Sequence, residues 1–260
     1  YGIPIFGQLA GQLADAGFAV LRYDKRAVGQ SGGRAEGATL SDYAEDVRGA
    51  VRFLSERKDI DNRRIIVLGH GDGGSIALLA ASREKRIAGV VLAGTPGMSG
   101  EQLVMAQQER TLGRMKITDA EKQQKVELQQ KINQAVLTGK GWESLPLYVR
   151  RQVDTPEYQS ILSFDPAKAM TDVQQPVLIL HAELDAQVGA ANAERLETLG
   201  KARKRTPPTE VQRVPGVNHL FVPATTGEVS EYPSLKGKTV APAASSAVAA
   251  WVQKTLPPRK

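Results

Sequence analysis

Apolar residues along the chain follow two alternating rhythms. Short apolar runs stand at 18–23, 64–68, 88–93, 176–181 and 210–214, with the length and composition of buried strands. Between them, apolar positions recur every three or four residues. Ile5, Phe6, Leu9 and Leu13 mark a helix over 3–16, with Gly17 as its stop. Tyr43, Val47, Val51 and Leu54 line the inner face of a longer helix over 39–57, opened by Thr39 and Asp42. Segments 73–82, 190–201 and 243–256 complete the helical set, the last stopped by Pro257 and Pro258. Strands alternating with helices predict an α/β fold: a mostly parallel sheet with helices on both faces.

The alternation breaks between Met98 and Pro166. This stretch is rich in Gln, Lys and Glu, with Leu103, Met105, Leu112, Val126, Leu128, Ile132 and Val136 at helical spacing. It reads as a helical insertion, either an amphipathic hairpin with a wet outer face or a lid over a pocket. The expected organisation is a core over 1–97, the insertion over 98–166, and the remaining core over 167–260.

Composition narrows the class without naming a chemistry. The 260 residues are 41% hydrophobic, ordinary for a soluble globular chain, and no run approaches the ~18 apolar residues of a membrane span. Cysteine is absent, which excludes disulfides and thiolate chemistry. The net charge of +6 has its densest cluster at 201–205, Lys-Ala-Arg-Lys-Arg, where no aromatic residue interleaves the charges. It is expected to be a solvated helix end rather than a nucleic-acid patch. The chain opens on Tyr1 with no signal-peptide pattern and reads as cut from something longer, so a targeting segment would lie upstream.

The most informative stretch runs from Val67 to Leu79: Val-Leu-Gly-His-Gly-Asp-Gly-Gly-Ser-Ile-Ala-Leu-Leu. A strand enters a glycine-crowded turn and a helix follows at once, the layout in which Gly-x-Ser-x-Gly presents a reactive hydroxyl on a sharp bend. The central position here is Gly71, which has no side chain. Two further stations follow in order. One is Pro176–Asp185, a strand whose exit carries an acid; the other is Val214–His219, a strand leading to a histidine. Nucleophile, acid, then histidine is the chain order of α/β hydrolases.

The chain resembles that superfamily over nearly its whole length, in particular its lid-bearing esterases and serine-peptidase-like members. The loop Arg22–Ser31 is similar to the family's Asp-x-Arg-Gly-x-Gly-x-Ser loop, with Ala27 where glycine is usual, and Asn218–Tyr232 resembles the segment around its histidine. The resemblance implies acyl transfer to water on a carboxylic ester, or less readily a peptide, without a cofactor or metal. It assigns the nucleophile position to Gly71, the orienting acid to Asp185, the base to His219 and one oxyanion donor to the backbone N–H of Asp72. It also puts a central strand in space between the segments at 18–23 and 64–68, and places both that strand and the following loop, which holds the second oxyanion donor, upstream of Tyr1 in sequence. The chain would then have a gap in its sheet.

Each assignment has a plain competitor. Against these roles stand the plainer readings of Asp185 as only a turn residue capping the next element and of His219 as a hydrogen-bonded core histidine. His70 is expected to pack beneath the bend. The alternation of His181, Glu183 and Asp185 invites a metal reading that a single imidazole supports poorly. At the empty position, loss of the nucleophile, naturally or by replacement, competes with attack by Asp72 or Ser75. It competes also with a non-catalytic protein that binds a small ligand in the pocket. Glycine suits the first, because it adopts a strained bend freely. The expected partner is a small ester-like substrate or ligand.

Overall fold

Four of the five apolar runs pair into one parallel sheet, β1 (Ile65–His70), β2 (Ile87–Ala93), β3 (Val177–Ala182) and β4 (Thr209–Val214), in chain order. The computed structural model describes residues 3–205 and 207–257. Successive residues of the two central strands point to opposite faces. Val90, Leu92, Val177 and Ile179 pack with α2 (Leu40–Glu56), α3 (Asp72–Arg83), α8 (Pro166–Thr171) and α9 (Ala190–Lys201). Val91, Ala93, Leu178 and Leu180 pack with α1 (Ile5–Asp15) and α10 (Pro242–Thr255). Burial on both faces explains why these strands read as continuous apolar runs. The fold is therefore the expected α/β arrangement with helices on both faces.

Helix starts follow local chemistry. Thr39 Oγ1 accepts from Asp42 N at 3.3 Å while Asp42 Oδ2 accepts from Thr39 N at 2.8 Å, a reciprocal cap on α2. The same device opens α4 (Gly100–Arg114) through Ser99 and Gln102, and α5 (Asp119–Thr138) through Thr118 and Glu121.

The run at 18–23 does not form a strand. It pairs with nothing in the described sheet, and Val20, Leu21 and Tyr23 are 41%, 40% and 48% exposed. A groove of about 590 Å³, lined by Leu9, Phe18, Leu21, Ile66 and Val252 among others, lies between this segment and β1. A strand exists only through its neighbour's hydrogen bonds, so a strand-like sequence beside a groove stays unpaired. On the same side, β1 is only half-buried over 66–68.

Between β2 and α8 the chain is helical: α4, α5, a 3₁₀ turn at Trp142–Ser144, α6 (Leu147–Val153) and α7 (Pro156–Leu162). Ile132, Ala135, Val136, Leu145, Val149 and Leu162 form a small core of their own. Leu112 is also buried as its spacing predicts, whereas Leu128 stays 36% exposed. The segment is tied to the sheet's loops by polar contacts. Arg110 and Arg114 both pair with Glu228, and Gln107 Nε2 donates to the Gln187 carbonyl at 3.1 Å.

The basic cluster at 201–205 departs from expectation at one residue. Lys201 is a helix-end cation paired with Glu197 at 2.5 Å, but Arg203 is buried. Its guanidinium donates to the carbonyls of Gly200, Val173, Gln175, Pro207 and Pro208 and to Thr209 Oγ1. No described helix is long and apolar enough to cross a membrane.

Candidate active site

The bend after β1 is as tight as the sequence suggests. His70 ends the strand, Asp72 begins α3, and Gly71 alone joins them with φ 57° and ψ −126°. An L-residue rarely adopts this conformation, so glycine relieves the strain of the turn. The bend is anchored by its own main chain: Gly71 N–H donates to Ala93 O at 3.0 Å, and Gly74 N–H donates to Gly71 O at 2.9 Å. A β-carbon built on Gly71 would stand 3.6 Å from His219 Nε2 and 3.9 Å from its Cε1. Asp72, as the first residue of α3, has one of the N–H groups that a helix leaves without an intrahelical partner.

Asp185 and His219 meet behind that position. His219 Nδ1 lies 2.7 Å from Asp185 Oδ2, and the Asp185 side chain is wholly buried. Asp185 Oδ1 accepts from the backbone N–H groups of Gln187 and Val188 at 2.9 and 2.8 Å. A carboxylate only accepts, so Nδ1 carries the proton in the neutral ring and Nε2 offers its lone pair toward residue 71. The two loops are knitted together as well. Leu184 N–H donates to Val217 O at 2.9 Å, Gly216 N–H to Glu183 Oε2 at 2.9 Å, and Gln187 Nε2 to the Tyr232 hydroxyl at 2.9 Å.

The other candidates separate. Glu183 serves the His219 loop, Asp185 serves the ring and His181 is buried in β3, so their alternation does not converge on one point. Among the described residues no group of three such side chains could hold a metal ion. Ser75 is 3% exposed, inside α3. His70 lies beside His219, its Nε2 2.8 Å from the His219 carbonyl oxygen.

Two features escape sequence reasoning. Gly94, at the end of β2, has φ 52°, and a β-carbon there would approach His219 Nδ1 to 3.1 Å and Asp185 Oδ2 to 3.3 Å. The only trace of this in the sequence is a glycine following an apolar run, which reads as a simple strand end. The second is a cavity of about 640 Å³ reaching Gly71 and His219, with Lys25, Tyr43, Glu157 and Ile161 in its walls. Glu157 and Ile161 come from α7, so the helical segment forms part of the pocket.

Similarity to known proteins agrees with this geometry. The family described as serine aminopeptidase, S33 (Hydrolase_4) matches residues 3–221. The chain belongs to this family. Esterase EstD of Thermotoga maritima is 35% identical over 103 residues, 38% of this chain and 24% of that protein. The uncharacterised protein PA2218 of Pseudomonas aeruginosa is 31% identical over 126 residues, 44% of this chain and 34% of its own. These matches span about a third or less of either relative's length. The crystal structure of PA2218 aligns with a TM-score of 0.57 at 20% identity, covering 96% of this chain and 79% of that one. An esterase of Pyrococcus furiosus, Pf2001, aligns at 0.56 with 17% identity, covering 96% and 75%. At such identities the structural likeness is one of fold.

Proposed function

We propose that the site is that of a serine carboxylic ester hydrolase whose nucleophile position is occupied by Gly71. The observation that carries this reading is the orientation of His219, with Nδ1 on Asp185 and Nε2 toward the empty position. A serine there would attack the acyl carbon while Nε2 takes its proton. Asp185 would hold the ring's tautomer and stabilise the imidazolium, and the Asp72 N–H would donate to the oxyanion. The proton then passes from Nε2 to the leaving alkoxide, and water repeats the sequence to release the acid. The helices over 98–166 act as a lid, a role supported by Glu157 and Ile161 in the cavity wall. The small ester enters that cavity. With glycine at 71 the covalent route is closed, and hydrolysis falls by a factor that reaches ~10⁶ where a nucleophile is deleted.

The test is Gly71→Ser in the full polypeptide, assayed with a short-chain activated ester and with a fluorophosphonate that labels reactive serines. The expected result is at least a ~100-fold gain in turnover with labelling at residue 71, both abolished by His219→Ala. A folded serine variant with neither gain nor labelling overturns the proposal.

A further inference from the structure

His70 has no part in that chemistry, yet it touches the residue on which the chemistry depends. Its Nε2 lies 2.8 Å from the His219 carbonyl oxygen, and the two ring centres are 4.4 Å apart with planes tilted at 49°. A carbonyl only accepts, so His70 Nε2 is protonated and donates, and Nδ1 is left as an acceptor. Phe221 and Phe6 stand edge-on to the His70 ring at 6.1 and 6.3 Å, enclosing it on further sides. His70 itself is fixed by strand pairing, opposite Ala93 in β2. A rigid sheet position therefore reaches across to a loop residue 149 positions away.

We propose that His70 is a positioning residue, which sets the plane and height of the His219 ring over residue 71 through the carbonyl hydrogen bond and the ring contact. The bond to Asp185 fixes one distance and leaves the ring free to swing about it. The loop that carries His219 is under local strain, with Phe221 at φ 56° two residues on. A tether on the carbonyl of residue 219 removes the backbone freedom that would let the ring turn. A side chain that merely filled space would leave that freedom in place. Burial and the neighbouring His219 hold the His70 pKa down to about 4, so the donating tautomer persists through neutral pH.

The consequence for rate rests on the hydrolase reading; the geometric content does not, and the experiment separates them. Three variants are compared with the parent. In His70→Gln the amide Nε2 occupies the place of the imidazole donor. In His70→Phe the ring remains without a donor. In His70→Asn the amide ends short of the carbonyl, which gives a second donor-deficient protein should the phenylalanine variant fold poorly. The first measurement, on the Gly71 chain, is the NMR resonance and solvent exchange of the His219 Nδ1 proton. The parent and His70→Gln should retain a slowly exchanging downfield proton, whereas the Phe and Asn variants should exchange it at least ~10-fold faster with amide spectra otherwise preserved. The second, on the Gly71→Ser background, is the split between kcat and KM. Donor loss should lower kcat by ~10–100-fold with KM nearly constant, and glutamine should restore most of it. Equal proton exchange in all four proteins overturns the proposal, as does equal loss in Gln, Phe and Asn. An inactive Gly71→Ser protein with the expected exchange pattern defeats the hydrolase reading alone.

Discussion

His219 directs its free nitrogen at Gly71, with 3.6 Å between Nε2 and the point where a β-carbon on residue 71 would sit. The opposite nitrogen is committed to a fully buried carboxylate that also accepts two backbone N–H groups. An imidazole held only as core packing needs neither a desolvated carboxylate on one side nor an open notch on the other. Burying that carboxylate is costly unless its lone pairs are satisfied, and here they are. The arrangement is thus polar and enclosed, with an open notch at residue 71.

Gly94 is the steric limit on that arrangement. Its positive φ disfavours any side chain, and an added β-carbon meets His219 Nδ1 at 3.1 Å and Asp185 Oδ2 at 3.3 Å. Gly94→Ala should lower stability by about 1–3 kcal/mol, from backbone strain and crowding together. It should also lengthen the Asp185–His219 hydrogen bond, seen as an upfield move of the Nδ1 proton. Denaturant titration and the same NMR spectrum provide the check. An unchanged midpoint with an unchanged resonance would mean that the end of β2 yields without cost.

Acid should weaken the fold before its carboxylates titrate. His70 has its pKa lowered from 6.5 to about 4, chiefly by burial and then by the nearby His219. Between those values the unfolded chain binds a proton at this position that the folded chain refuses, so stability is fully present above pH 6.5 and declines toward pH 4. The loss is on the order of a few kcal/mol, since each tenfold change in proton affinity between the two states is worth about 1.4 kcal/mol. His181, also shifted downward by burial, acts in the same direction. His70→Gln should flatten the slope of unfolding free energy against pH over this window. A variant with the parent's slope would place the effect elsewhere.

Much of this was legible in the chain because it is local or ordered. Double-sided burial makes β2 and β3 continuous apolar runs, and the cap pairs at Thr39 and Asp42 lie three residues apart. The site was legible as an order of stations, Gly71, Asp185 and His219, each at a strand exit. Information carried by distant neighbours was not. Residues 18–23 have a strand's composition, but pairing depends on what lies alongside, and there they border a groove. Gly94 is constrained by two side chains from much later in the chain, Asp185 and His219. Arg203 reads as one more cation in a basic run because its acceptors lie in two separate loops.

Arg203 should behave as a buried structural residue and not as a surface charge. Desolvation lowers its pKa to about 10, and its donors satisfy carbonyls from 173, 175, 200, 207 and 208 together with the Thr209 hydroxyl. Arg203→Met should destabilise the protein by about 2–4 kcal/mol, since partly buried acceptors lose a charged donor. Arg203→Lys should recover little, because a single ammonium cannot span the acceptors that the planar fork reaches. Thermal unfolding of Lys204→Met, at an exposed neighbour, supplies the comparison. If all three variants melt together, the hydrogen-bond fan contributes nothing to stability.

Ala27 offers the opposite case, a position where one substitution should improve the fold. It stands where glycine is usual in the resembling loop, and its φ is 61°, in the region where a β-carbon crowds the backbone. The loop is held in that shape from outside: Arg26 makes paired hydrogen bonds to Asp46 at 2.9 and 2.6 Å and a third to Asp42 O, all on α2. Strain at a left-handed alanine costs about 1–2 kcal/mol, whereas the added freedom of glycine in the unfolded chain costs about 0.4–1 kcal/mol. Ala27→Gly should therefore stabilise the protein by up to about 1.5 kcal/mol, measured as a higher denaturant midpoint at unchanged slope. The gain should vanish in an Arg26→Ala background, where the loop can relax without glycine. Destabilisation by Ala27→Gly with Arg26 intact would show that the left-handed turn carries no strain.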